Sequence, residues 1–259
     1  MPKFLICYKW VLDEQDIKID LQASKLDIGR ARSKISDYDR NAIEAAALEV
    51  EKKGGSITAL TYGGSSAKQS LKDALSRGPG DAVWVNDDNA AMADAFVTAN
   101  VLSAAAKRMG DYDVILCGEG AADTYAQQVG PRIATLLGIP AITFVSNFNI
   151  EGDKVIATRK LSDCTETVSA TFPVLLTVLP EINTPRIPGL KQAMGAARKP
   201  IKEVKVADLG LDTAALTPKT KVKSMKPYVM SRKNVIYKDN DPVNNINALV
   251  ASLQKEGII

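Results

Sequence analysis

Between Tyr112 and Pro140 the chain reads YDVILCGEGAADTYAQQVGPRIATLLGIP, and most of the groups here that can do chemistry are backbone amides. Gly118 and Gly120 follow the apolar run Val114-Ile115-Leu116-Cys117 and let the backbone turn sharply. Asp123 and Thr124 are suited to cap a following helix, and Pro131 fits a first helical turn. Val129, Ile133, Leu136 and Leu137 recur at helical spacing until Gly138, ahead of Ile139-Pro140, ends the helix. A strand, a glycine turn and a helix amino end in that order expose free N–H donors at the positive end of a helix dipole. An anionic group, most simply a phosphate, suits that place. The loop is neither the dinucleotide fingerprint nor a P-loop, because no Lys-Ser/Thr follows the glycines, and the same pattern also describes an ordinary strand-to-helix corner.

The side chains that are missing narrow the chemistry further. The 259 residues contain no histidine, which removes the commonest general base and the commonest zinc ligand. Cys7, Cys117 and Cys164 are odd in number and far apart, which suggests neither a disulfide framework nor a cysteine metal site. Any hard chemical step therefore falls to a bound cofactor. A formal net charge of +3 is too small to argue for nucleic acid, and the lysines are spread apart from Lys219, Lys221, Lys223 and Lys226. No segment approaches the apolar length of a membrane span, and the amino end reads as a strand and not as a signal peptide, so no membrane insertion and a cytoplasmic location are expected.

The elements that must position the glycine loop read as an α/β protein. Lys3–Lys9 is a first strand, and Trp10–Asp27 is polar and irregular, with a short extended pair around Ile17-Lys18-Ile19. Ala42, Ile43, Ala46, Ala47 and Val50 share one face of a helix ended by Gly54-Gly55. Ser56–Tyr62 is a second strand, a helix runs from about Ser66 to Arg77, Asp81–Asn86 is a third strand and Met92–Met109 an alanine-rich helix. The glycine-loop strand and helix follow, then a strand over Ile142–Val145. Strands alternating with helices predict a doubly wound, mostly parallel sheet, Rossmann-like or of the adenine-nucleotide α-hydrolase type. In such sheets ligands bind beyond the carboxyl ends of the strands, which directs attention to the loops after Tyr8, Tyr62, Asn86 and Cys117.

After Asn147 the pattern changes. Lys154–Lys160 and Thr165–Thr171 alternate as an antiparallel hairpin, and Val174–Leu179 is a buried strand. Pro185 and Pro188 interrupt regular structure before a helical turn over Gly189–Arg198. Residues 201–227 read as an extended linker, and Asp241–Glu256 as an amphipathic helix with Val243, Ile246, Leu249, Val250 and Leu253 on one side. The expected division is thus a nucleotide-binding domain over 1–200 and an arm over 201–259 whose helix folds back or docks on another chain.

Several stretches together resemble the β subunit of electron-transfer flavoprotein along essentially the whole chain. FLICYKWVLDEQDIKI matches the family's amino-terminal strand, and Ser36-Asp37-Tyr38-Asp39 its N-P-Y-D-like segment. Ala121–Pro131 is similar to the nucleotide loop A-I-D-G-D-T-A-Q-V-G-P. Arg159, Glu166 and Pro173–Thr177 match a later signature. Asn183-Thr184-Pro185-Arg186, Leu190 and Met194 match the recognition loop. Ser36-Asp37 stands where Asn-Pro is usual, and Thr124-Tyr125 where Gly-Asp is usual. DEQDI, LSRGP and YAQQVG look closest to members serving anaerobic acyl-CoA or carnitine-linked reduction.

The resemblance implies a heterodimer with an α subunit that passes electrons to an acyl-CoA dehydrogenase or related flavoprotein. In many members the β pocket holds a structural AMP. In electron-bifurcating members it holds FAD, which takes electrons from NADH and serves a second, low-potential acceptor such as ferredoxin. Gln128-Val129-Gly130-Pro131 looks like the bifurcating form. The resemblance places the cofactor against Gly63, Gly118, Asp123, Thr124, Tyr125, Gln127, Gln128, Val129, Gly130 and Pro131. Cys7 and Tyr62 line the pocket or only pack, Tyr38 and Asp39 touch the nucleotide or only cap a helix, and Asp94 and Thr98 face the flavin or only start one. Arg186 orders the recognition loop, while Leu190 and Met194 meet the partner. A stress-type nucleotide-binding regulatory module lacks such a hairpin, loop and arm, and a self-contained NADH oxidoreductase is disfavoured by the missing G-x-G-x-x-G.

Overall fold

The computed structural model describes residues 1–259 apart from 21, 111 and 229–231. The elements run β1 (Lys3–Cys7), β2 (Trp10–Leu12), β3 (Lys18–Asp20), β4 (Lys25–Asp27), β5 (Ser33–Ile35), α1 (Asp37–Lys53) and β6 (Ser56–Gly63). Next come α2 (Lys68–Ser76), β7 (Asp81–Asn86), α3 (Ala95–Met109), β8 (Val114–Gly118), α4 (Val129–Leu137), β9 (Ala141–Glu151), β10 (Lys154–Lys160) and β11 (Thr165–Thr171). The chain ends with β12 (Val174–Val178), α5 (Leu190–Ala196), β13 (Ile201–Lys205) and α6 (Pro242–Lys255).

One nine-stranded sheet has the order β11-β10-β9-β12-β8-β1-β6-β7-β13. It is parallel from β9 to β13, with β10 and β11 antiparallel at the far edge. Because β1 lies in the middle, the chain first builds outward through β6 and β7, then crosses back to place β8 on β1's other side. Strand order therefore reverses between β1 and β8, the place where a doubly wound sheet opens a crevice.

The central strands bury both faces, which is why they read as continuous apolar runs. Phe4, Ile6, Val114, Leu116, Val174 and Leu176 pack under α1 and α2. Leu5, Cys7, Ile115, Cys117 and Leu175 pack under α3 and α4. Fully burying a leucine or isoleucine contributes roughly 1.5–3 kcal/mol, so the residues of β8, all buried, fix that strand at the centre.

The expected linker over 201–227 begins otherwise. Ile201–Lys205 is β13, an edge strand paired with β7, and Val206–Leu209 forms a 3-10 turn, so the sheet runs past residue 200. Edge strands use lysines and a preceding proline to discourage further pairing, and that composition looks like a linker in one dimension. The irregular stretch after Trp10 is also more ordered than expected, for β2 pairs with β5 and β3 with β4. The strand over Ile142–Val145 extends to Glu151, so the expected hairpin becomes a three-stranded antiparallel meander. Helix α3 starts at Ala95, a little later than expected, behind its cap Asp94.

Candidate functional site

The carboxyl ends of β1 and β8 are neighbours, and the first turn of α1 lies directly across them. A β-carbon on Gly118 would stand 2.7 Å from Cβ of Tyr38 and 2.8 Å from Oδ1 of Asp39, so only glycine lets the helix approach. Asp39 is buried and works as a clamp. Its Oδ1 accepts the Gly118 N–H at 3.1 Å and its Oδ2 the Lys9 N–H at 2.8 Å, tying both strand ends to α1. Burial raises its pKa from 3.8 to about 7, against the two N–H donors and the Lys9 charge, which favour the carboxylate. Asp39 does not cap α1; Ser36 holds that position, and the Ser36 Oγ accepts the Ala122 N–H at 3.1 Å.

Beyond β8 the loop does not enter a helix at once. Tyr125 (φ 44°) and Gln127 (φ 54°) take left-handed conformations, so α4 starts only at Val129. Asp123 and Thr124, expected as caps, therefore lie outside the helix. Asp123 instead pairs with Lys9, Oδ2 to Nζ at 2.6 Å, bridging the crevice between β8's loop and β1's end. The first residue at the crevice that sequence reasoning missed is this Lys9; its place just past the end of β1 was the available signal. Tyr125 packs on Tyr38 with ring centroids 5.3 Å apart, and burial with the Glu119 carboxylate raises its hydroxyl to about 12.

Helix α4 opens with no side-chain cap, so its first amides keep their donors. Pro131 sits in its first turn, as expected. Gly130 is pressed against β12, where a β-carbon would come within 2.5 Å of Thr177 Cγ2. Gly118, Gly130 and the uncapped amides of α4 lie together at the strand switch, and Lys9 stands beside them with its charge met by Asp123.

The other expected residues are spread around this centre. Cys7 is buried beside Cys117, whose thiol is held well above its usual pKa by contact with Cys7 and by burial, so Cys117 supplies no ready thiolate. Tyr62, at the end of β6, donates to Asp87 Oδ2 at 3.1 Å; burial, then that carboxylate, raises its pKa. The Gly63 carbonyl accepts from Trp84 Nε1 at 2.9 Å. Asp94 caps α3 through the Val97 N–H at 3.0 Å and also accepts the N–H groups of Lys219 and Thr220 at 2.7 and 2.9 Å. Desolvation works against its ionisation, but these bonds hold its pKa below the usual value. Asp94 thus strands the arm against α3, and both its oxygens are engaged; Thr98 lies half-buried one turn on. Arg186, Leu190 and Met194 stand apart from the crevice. Arg186 is bound to α1, while Leu190 and Met194 are 79% and 65% exposed.

Residues 25–209 match the family model described as the electron transfer flavoprotein domain. The chain belongs to the electron transfer flavoprotein family. Its Rossmann-like sheet, with the glycine loop at the strand switch, is the architecture expected of that family. Among the described residues, no helix is long and apolar enough to cross a membrane, and no three His, Cys, Asp or Glu side chains gather to hold a metal.

Proposed function

We propose that this chain is the β subunit of a heterodimeric electron-transfer flavoprotein that binds FAD in the crevice between β1 and β8. The observation that carries the reading is the uncapped amino end of α4, drawn against the sheet at Gly130 beside a glycine turn. A dinucleotide diphosphate fits that donor set, because helix amino ends favour anionic charge by about 0.3–2 kcal/mol and several amides can share it. The N–H groups of Gln127, Gln128, Val129 and Gly130, in the turn that ends at Pro131, would hold the diphosphate. Lys9 would balance its charge once its pairing with Asp123 loosens, and Tyr38 with Tyr125 offers aromatic surface to a flat ring. When bound, the flavin supplies the redox chemistry, which needs orientation rather than a side-chain base; the lack of histidine is compatible with this.

The bifurcating role rests on the wording Gln128-Val129-Gly130-Pro131. In that role electrons arrive from NADH and leave to an acyl-CoA dehydrogenase-type flavoprotein and to a low-potential acceptor such as ferredoxin. The apolar side of α6, with Val243, Ile246 and Leu249 exposed, is the surface for the α subunit. The experiment is to purify the heterodimer, denature it and quantify the released nucleotides by chromatography. Two FAD per heterodimer, with the colour bleached by NADH, supports the proposal. One FAD plus one AMP refutes bifurcation, since the same amides hold a monophosphate equally well, and leaves a simple electron carrier.

A further inference from the structure

Helix α1 carries the crevice clamp in its first turn and a second set of polar contacts farther along. Glu44, one to two turns beyond Asp39, is buried, and it accepts three hydrogen bonds from one residue 142 positions away. Arg186 Nε reaches Glu44 Oε2 at 2.7 Å, Nη2 reaches Oε1 at 3.0 Å, and the Arg186 backbone N–H reaches Oε2 at 3.1 Å. This is a two-pronged guanidinium–carboxylate pair with a main-chain bond added, a geometry that fixes direction as well as position. Glu51 takes the remaining Nη1 of Arg186, and Arg77 Nη1 donates to the Arg186 carbonyl at 2.9 Å. One turn earlier Asn41 donates to the carbonyls of Pro180 and Asn183, both at 2.9 Å, and accepts from Asn183 Nδ2 at 3.0 Å.

The far end of the same segment is fastened as well. Lys199 Nζ donates to the carbonyls of Leu75 and Pro79 at 2.7 and 2.6 Å, closing the end of α2. Between these two anchors Ile187, Leu190 and Met194 stand 93%, 79% and 65% exposed. Exposed apolar side chains held on a segment fixed at both ends suit a protein contact, because ordering entropy is met in the free protein and not on binding.

We propose that Glu44 is a positioning residue that sets the conformation in which the 183–198 segment presents Ile187, Leu190 and Met194 to a protein partner. The inference rests on the reading of this chain as a flavoprotein subunit that meets other proteins. Glu44 touches neither the crevice nor the partner; it acts through Arg186.

The test is Glu44→Gln in the full heterodimer, which keeps the side-chain shape and an acceptor for the Arg186 N–H but removes the charge. Trypsin cleavage after Arg186 and Lys191 is followed by intact mass, with cleavage in the Lys219–Lys226 arm as the internal reference. Cleavage in the 183–198 segment should rise on the order of ten-fold, equivalent to about 1.4 kcal/mol, while cleavage in the arm stays unchanged and the melting temperature falls by only about 3–6 °C. Electron transfer to a small dye such as dichlorophenolindophenol should hold, whereas transfer to an acyl-CoA dehydrogenase-type flavoprotein should fall by a similar factor. Unchanged cleavage, or cleavage that rises equally in the arm, overturns the positioning role. Faster cleavage with undiminished transfer to the protein acceptor overturns the partner surface instead. Failure to find flavin at all would show up separately, in the dye assay.

Discussion

Asp39→Asn is the sharpest perturbation of the crevice. In the folded chain the Asp39 pKa rises from 3.8 to about 7, with burial as the main cause. Between about pH 4 and pH 7 the folded protein therefore holds a proton that the unfolded chain has released. Stability must fall as pH rises through that window, by about 1.4 kcal/mol per pH unit and about 4 kcal/mol in all, and level off above it. Asparagine cannot titrate, so this slope should vanish in the variant. The amide has one acceptor oxygen for the two N–H groups of Lys9 and Gly118, which leaves one donor facing an NH2 group at a cost of about 1–3 kcal/mol. Near pH 5 the variant should be the less stable by about that amount. Near pH 8 the gap should close or reverse, because the wild type then holds an ionised carboxylate in a buried place. Urea unfolding of both proteins across that range, followed by circular dichroism, gives the two curves. A stability difference that stays constant from about pH 5 to pH 8 refutes the reasoning, and would mean that the two N–H donors keep Asp39 ionised throughout.

Gly130→Ala should push α4 off the sheet, since its β-carbon would meet Thr177 Cγ2 at 2.5 Å. The expected result is a loss of about 1–3 kcal/mol together with flavin absorbance, and a variant that retains full flavin content would separate flavin binding from this helix. Leu190→Ala should leave the melting temperature unmoved, because the side chain is already 79% exposed. Electron delivery to the proposed flavoprotein partner should slow by about ten-fold or more, as expected if that partner buries a leucine worth roughly 1.5–3 kcal/mol. Stopped-flow mixing with the partner measures it, and a stability loss without a rate change would make Leu190 a fold residue.

The strand, glycine turn and helix around Gly118 were legible in the sequence because each depends on local period and on the special freedom of glycine. So were the parallel core, from its unbroken apolar runs, and the change of pattern after Asn147. Lysines around an edge strand look like those of a linker, and this hid Ile201–Lys205 until β7 supplied its partner. Asp123 and Thr124 resemble helix caps, but a cap needs the helix to begin beside it, and the left-handed Tyr125 and Gln127 postpone that start to Val129. Asp123 was left to pair with Lys9, 114 positions away. Asp39 could be read from sequence as a helix-start residue, yet its work is to join two strand ends that meet only because the chain crosses β1 before laying down β8. The anchoring of Arg186 on Glu44 is of the same kind. Local chemistry decided which elements form and which loop has free amides. Which distant side chains meet across the switch point depends on strand order, a property of the folded sheet that no stretch of the sequence carries by itself.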